Sequence, residues 1–300
     1  MASAEALKMM AELRANRKPD RPLAQARAEW DIEAAAQALP AETVVEPGQM
    51  GGVASEWIVC GPVIERGVVL LLHGGGYHAG GLVTHRAFAA RVSRALGRRV
   101  LQIAYALAPE HPFPAGLHDA LAAYKALIAE GVVPGEIVLL GDSAGGGLAI
   151  SLMLALKRDG DPQPAGAVLL SPWTDLECSG TSYRTNLSRD PNMSREDLLA
   201  AADDYRGSLP ASEPMLSPIH ADLSGLPPML VQAGGGEIML DDSIFFAEQA
   251  RTTGCRVTLD VTPDLWHVFQ NGPDDIPEVR AAFDRMGTFV AGVMARPSAP

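Results

Sequence analysis

The residues best suited to chemistry lie in Gly141-Asp142-Ser143-Ala144-Gly145, a Gly-x-Ser-x-Gly pattern. An apolar run of β character, residues 137–140, enters it, and a helix-compatible run, residues 148–156, leaves it. A serine set between strand and helix has the context of a nucleophile elbow. Glycines at 141 and 145 let the chain bend tightly and the outgoing helix pack close to the incoming strand. The hydroxyl then points out of the sheet, at a helix N-terminus where backbone N–H groups favour developing negative charge. The chemistry implied is nucleophilic catalysis by Ser143. A plainer use of the same residues is a glycine-rich turn whose serine caps the helix.

A second stretch, His73-Gly74-Gly75-Gly76, follows the buried-type strand 68–72. Three consecutive glycines cost folding entropy, so a geometric reason is expected for them. Backbone without side chains approaches a substrate closely and aims N–H groups at it. The N–H groups of Gly75 and Gly76, with that of Ala144 just after the serine, are the expected oxyanion hole. His73 is expected to orient this loop rather than to transfer protons.

Composition narrows the field. A chain of 300 residues with 47% hydrophobic and 20% charged residues has ample material for a large buried sheet. The net charge of −12 argues against nucleic acid and against docking on an anionic membrane. No apolar run approaches the ~20 residues that span a bilayer, so no membrane insertion is expected. Residues 1–21 lack the continuous apolar core of a secretory signal. Cys60, Cys178 and Cys255 are odd in number, far apart and without CxxC spacing. They read as reduced, buried residues of a cytoplasmic protein. No His/Cys/Asp cluster has metal spacing, and the glycine loop lacks the lysine of a phosphate loop, so no metal and no cofactor are expected.

The elements that must position these residues alternate. Residues 2–17 and 23–39 have helical composition, with prolines at 19 and 22 between them. Strands are predicted at 43–45, 53–60, 68–72, 99–104, 136–140, 167–170, 229–232 and 257–261. The first two are separated by Pro47-Gly48 and Gly51-Gly52. Helices are predicted at 85–96, 117–130 and 277–294, with a loose tail at 295–300. Repeated strand–helix order implies an α/β fold, a mostly parallel sheet with helices on both faces. Residues 173–218 break the alternation, carry a helical pattern at 195–205, and read as an insertion above the carboxyl edge of the sheet.

With HGGG and GDSAGGG both present, the chain resembles the bacterial hormone-sensitive-lipase-like esterases of the α/β-hydrolase superfamily. The likeness extends from about residue 68 to 269. It includes Tyr105-Ala106-Leu107-Ala108-Pro109-Glu110-His111-Pro112-Phe113-Pro114-Ala115, where the family normally has Arg at the place of Ala106. Ser171-Pro172-Trp173-Thr174-Asp175 and Leu216-Ser217-Pro218 are further landmarks. The resemblance implies an α/β-hydrolase fold in two parts. These are an N-terminal helical cap segment (1–45) and a catalytic domain (46–300) carrying the 173–218 insertion. It also implies hydrolysis of short- to medium-chain carboxylic esters through an acyl-enzyme.

Triads of this superfamily run serine, acid, histidine in chain order, which leaves His220 and His267 of the seven histidines. His267 lies on a late loop after the last strand, where similar proteins keep the catalytic histidine, although Val268 stands where they have glycine. For the acid, Glu237 follows the strand end and Gly234-Gly235-Gly236, at the place of the family's catalytic Asp. Asp241 is the alternative, and Asp241 and Asp242 also read as the N-terminal cap of the next helix. Asp142 and Glu110 are expected to hold loops near the site. Trp173, Tyr77, Trp266, Met193 and Met215 are candidates for lining the pocket or packing beneath it. Relatives pair through the sheet edge near the last strand, so a homodimer through 256–261 is an expectation of the resemblance. Two other functions stay open at this point: an acyltransferase, lactone hydrolase or amide hydrolase on the same triad, and a non-catalytic ligand receptor.

Overall fold

The computed structural model describes residues 1–18, 21–64 and 66–295. Helices Ala4–Ala15 (α1) and Leu23–Ala35 (α2) precede a hairpin of Thr43–Met50 (β1) and Val53–Cys60 (β2). Val68–Leu72 (β3), Leu82–Leu96 (α3), Arg99–Ile103 (β4) and Ala115–Ala129 (α4) follow. Ile137–Asp142 (β5), Ala144–Asp159 (α5) and Gly166–Leu170 (β6) lead to Ser182–Thr185 (α6) and Arg195–Arg206 (α7). Met229–Gly234 (β7), Leu240–Thr252 (α8), Val257–Thr262 (β8) and Pro277–Met294 (α9) complete the chain. Proline 19 and the tail from residue 296 on, both named above, lie outside the described residues.

The strands form one eight-stranded sheet in the order β1-β2-β4-β3-β5-β6-β7-β8. The β1–β2 and β2–β4 pairs are antiparallel, and β3 to β8 are joined in parallel. The central strands are continuous apolar runs because both faces are covered. Side chains alternate between faces, so Leu70, Leu72 and Leu139 join the core under α4 and α5. Val69, Leu71, Val138 and Leu140 join the core against α3 and α9.

Among the boundaries that differ from the sequence reading, three have a plain physical reason. Strand β1 runs through Pro47-Gly48, which was read as a break. It is an edge strand with β2 as its partner, and an edge tolerates a proline that cannot donate. Helix α3 starts at Leu82, three residues before the expected start, which places His85 in its first turn. Helix α5 starts at Ala144 and absorbs Gly145-Gly146-Gly147, poor helix formers held there by packing. A Cβ on Gly145 would stand 2.0 Å from the Leu72 carbonyl oxygen, and one on Gly147 2.4 Å from that of Trp173.

The N-terminal arm is fastened at both ends. Ser3 donates through its N–H and its hydroxyl to the Glu278 carboxylate of α9, at 2.6 and 2.8 Å. Arg27 of α2 donates to the carbonyl oxygens of His78 and Ala108, each at 2.6 Å, and pairs with Glu110. Glu110 thus holds the arm to the 105–115 stretch.

The close approach at Gly145 is between main chains and cannot be relieved by a rotamer change. Gly145→Ala is expected to cost at least the ~3 kcal/mol of a severely overpacked core. Gly254→Ala, in open space at φ +86°, should cost only about 1–2 kcal/mol. Urea denaturation of the two variants measures the difference.

Candidate active site

The chain after the carboxyl ends of β3, β5 and β8 lines one cleft, and Ser171 after β6 and Glu237 after β7 pack against the His267 loop. Ser143, between β5 and α5, sits at φ 54° and ψ −121°, outside the regions L-residues favour. Its N–H donates to the Leu170 carbonyl at 2.8 Å, and its own carbonyl accepts from Gly146, Gly147 and Trp173. Although Ser143 occupies the N-cap position of α5, its hydroxyl makes no capping bond. The hydroxyl faces a cleft of about 550 Å³.

The glycine loop faces the same cleft. His73 is buried and stacked on Tyr105 at 4.2 Å, and Tyr105 donates its hydroxyl to the His73 carbonyl at 2.6 Å. Burial, with His85 nearby, pushes the His73 pKa down to about 3, so it stays neutral, in keeping with a loop-orienting role. The Gly74 N–H donates to Asp142 Oδ1 at 3.0 Å, which ties the loop to the residue before the serine. Gly75 and Gly76 have φ of 119° and 63°, and the turn closes through His78 and Ala79 N–H groups donating to the Gly75 carbonyl. Among the described residues, the Gly75 and Gly76 N–H groups have no acceptor. The Ala144 N–H, in the first turn of α5, has none within its helix.

Glu237 and His267 meet at the ends of β7 and β8. Glu237 is fully buried, and its Oε2 accepts from the Ser171 hydroxyl at 2.6 Å and the Gly234 N–H at 3.2 Å. The same oxygen lies 3.7 Å from His267 Nδ1, longer than a hydrogen bond. Catalytic contacts are often long before substrate binds. Among the described residues, Glu237 Oε1 and His267 Nδ1 are buried polar atoms without a hydrogen-bond partner. Burial raises the pKa of Glu237. Burial disfavours the His267 imidazolium, but the Glu237 carboxylate, with Asp190 and Asp142 nearby, outweighs it, and the pKa of His267 is raised.

The glycines before Glu237 have their reason in packing. A Cβ on Gly234 would lie 2.5 Å from the carbonyl oxygens of both Leu265 and Trp266. Gly235 and Gly236 donate to the Thr262 and Leu265 carbonyls at 2.8 Å, so the acid loop and the histidine loop are joined through main chain. Val268 adopts the left-handed conformation at φ 51° and ψ 48°. The branched side chain thus keeps a backbone that suits glycine, the residue expected there. Its N–H donates to the Ser171 hydroxyl at 3.1 Å.

Other residues fall elsewhere. Asp241 Oδ2 accepts from the Ser182 N–H at 2.9 Å, which ties it to the start of α6. Neither Asp241 nor Asp242 is the N-cap, a position held by Met239. Asp242 is buried and accepts from the Thr174 and Asp175 N–H groups and the Tyr183 hydroxyl. His220 lies 3.6 Å from Glu177. His220, Glu177 and Asp175 bring ligand atoms within 4.8 Å of one another, a grouping the sequence spacing did not reveal. The Asp175 oxygens already accept from Glu177 and Ser179 N–H groups. Cys60, Cys178 and Cys255 are buried and free.

Trp266 and Met193 line the cleft, together with Met9, Leu13 and Trp30 of the N-terminal arm. Tyr77 and Trp173 instead stack on each other in the core beneath, and Met215 packs against that core. Sequence reasoning passed over the roles of Ser171 and His85, whose partners are remote in the chain. It also passed over the arm residues, whose place depends on Arg27.

A mostly parallel sheet with helices on both faces, and functional loops at its carboxyl edge, is the architecture of an α/β hydrolase. A family described by that fold matches residues 69–271. An acetyl-hydrolase of Streptomyces hygroscopicus is 39% identical over 250 residues, 82% of this chain and 83% of that protein. An esterase of Acinetobacter venetianus is 34% identical over 250 residues, 83% and 82% of the two chains. A solved esterase of the bacterial hormone-sensitive lipase family superposes with TM-score 0.94 at 38% identity. That superposition covers 98% of this chain and all of that one. The chain belongs to the hormone-sensitive-lipase-like esterases of the α/β-hydrolase superfamily, as its motifs implied, and is a carboxylic ester hydrolase. Among the described residues no helix is long and apolar enough to cross a membrane.

One hydroxyl, that of Ser171, bonds both the Glu237 carboxylate and the peptide after His267. Ser171→Ala is expected to lower ester turnover by about 10- to 100-fold, the usual loss of an orienting partner. Ser171 sits at φ 45°, and Ser171→Gly, which relieves that conformation but also lacks the hydroxyl, should lose as much. Steady-state kinetics on a p-nitrophenyl ester compares them.

Proposed function

We propose that the chain is a serine carboxylesterase working through Ser143, His267 and Glu237. The observation that carries this reading is the uncapped Ser143 hydroxyl, in a strained elbow on the same cleft as His267, beside a buried carboxylate. His267 takes the Ser143 proton as the serine oxygen attacks the ester carbonyl. The N–H groups of Gly75, Gly76 and Ala144 stabilise the oxyanion, each worth about 3–4 kcal/mol in comparable sites. His267 then protonates the leaving alcohol, activates water against the acyl-enzyme, and returns the proton to Ser143 as the acid leaves. Glu237 orients the imidazole and stabilises its charged form.

The cleft of about 550 Å³ and the acetyl-hydrolase and esterase relatives support short- to medium-chain acyl groups. The described part of the 1–45 segment ahead of β1, with 173–218, forms the cap in this reading, supported by Met9, Leu13, Trp30 and Met193 at the cleft. A cytoplasmic location fits the buried, free cysteines. The homodimer expected from the resemblance would use the outer edge of β8, and light scattering measures it.

Ser143→Ala is expected to abolish turnover of p-nitrophenyl butyrate and labelling by a fluorophosphonate. Parental activity in that variant would remove the serine from the mechanism. Glu237→Gln should lose far more turnover than Asp241→Asn at equal folded content; the reverse order would reassign the acid.

The pH profile gives an independent check. The base must be neutral, and its pKa is raised, so the acid limb of kcat/KM should lie above the ordinary histidine value near 6.5. Glu237→Gln removes the carboxylate that raises it, so the limb should move to lower pH.

A further inference from the structure

Behind the serine lies a second carboxylate–imidazole contact that the proposed reaction does not use. Asp142 and His85 are both buried, and His85 Nε2 stands 3.4 Å from Asp142 Oδ1 and 3.5 Å from Oδ2. Asp142 Oδ1 also accepts from the Gly74 N–H at 3.0 Å. Gly74 fits against this carboxylate so closely that a Cβ there would stand 2.2 Å from Oδ2. The Asp142 side chain is therefore a peg between the serine elbow and the glycine loop.

A buried carboxylate keeps such a position only where donors or charge compensate its lost hydration. His73 gives little charge, since it is held neutral and its Nδ1 faces the Gly74 carbonyl oxygen at 2.9 Å. His85 is the remaining candidate. Its ring is fixed from the other side by Thr84 Oγ1, 2.8 Å from Nδ1, and Thr84 in turn bonds Gly81. The Trp30 ring of α2 meets the imidazole edge-on, with centroids 5.8 Å apart. Arg27, one helical turn earlier, fastens α2 to the carbonyls of His78 and Ala108. Trp30, His85, Asp142 and Ser143 all line the catalytic cleft.

We propose that His85 is a positioning residue of the oxyanion loop. Its imidazole holds Asp142 on the Gly74 N–H, and Trp30 of the N-terminal arm holds the imidazole. The inference rests on the reading above, in which Ser143 is the nucleophile and the Gly75 and Gly76 N–H groups bind the oxyanion. The arm then does more than cover the cleft, because its seating is transmitted through one ring and one carboxylate to the N–H groups that meet the transition state. A loop displaced by a fraction of an ångström loses transition-state binding before it loses substrate binding.

Kinetics on p-nitrophenyl acetate, with thermal melting to verify folding and a fluorophosphonate to count active serines, tests this. His85→Leu is expected to lower kcat by about 10- to 100-fold with KM changed by no more than about threefold. His85→Gln, whose amide N–H reaches the place of Nε2, should recover most of the loss. Trp30→Ala should lose kcat in the same manner, by about 10-fold. Parental kcat in His85→Leu, a loss confined to KM, or a Gln variant no better than Leu would overturn the proposal. Should His85→Leu not fold, Gln is compared with His85→Asn, whose amide matches only Nδ1. Gln should exceed Asn by about 10-fold, and equal rates overturn the role. Ser143→Ala is assayed alongside: activity there defeats the nucleophile itself, whereas an inert Ser143→Ala with a fully active His85→Leu defeats only the role of His85.

Discussion

Main chain passes main chain at the carboxyl edge of the sheet with no room for a Cβ, and the geometry of the site depends on that contact. Gly145 lies against the carbonyls of Leu72 and His73, so the elbow and the glycine loop have a single spacing. Gly234 lies against Leu265 and Trp266, so the acid and the histidine have one as well. Side chains can hop rotamers, but these contacts relax only if a strand moves. Such rigidity suits a site whose donors must already point at the developing charge, since no reorganisation is then needed during reaction.

Buried carboxylates gather at this edge, and the partners of Asp242, Asp142 and Glu237 differ in kind. Asp242 accepts from two N–H groups and a tyrosine hydroxyl, while burial and the adjacent Asp175 push its pKa to about 8. It has no polar atom to spare and fastens the 174–183 segment to α8. Asp142 spans an N–H and an imidazole. Glu237 accepts two bonds on Oε2, whereas its Oε1 has no partner among the described residues, and His267 stands beside it. An acid with unspent accepting capacity next to an unpartnered imidazole nitrogen is suited to a change of charge on that ring. A saturated acid is suited to holding loops.

The strands were legible because burial on both faces writes itself as an unbroken apolar run, as in Val68–Leu72. Ser143 and the glycine loop were legible because each is local, a few residues whose types dictate a turn. Glu237 and His267 were placed by chain order and likeness, which need no knowledge of contacts. Boundaries failed where packing overrode propensity, as when α5 absorbed three glycines. Ser171 reaches a partner 66 residues away, His85 one 57 away, and Arg27 one 81 away. No periodicity in a single chain encodes such pairs. Their residue types, a serine after a strand, a histidine in a helix and an arginine on a largely exposed helix, have ordinary uses elsewhere.

The bonds between Ser3 and Glu278 join residues 275 positions apart, so the first helix is moored to the last. A ribosome releases α1 long before α9 exists, so this end of the arm stays unmoored well after Arg27 of α2 can reach the His78 and Ala108 carbonyls. Closing so long a loop costs only slightly more entropy than closing a shorter one, because the cost grows with the logarithm of length. The delay is therefore one of timing. The elbow can form while α1, whose Met9 and Leu13 line the cleft, is still free, and that part of the roof is seated only once α9 has been made.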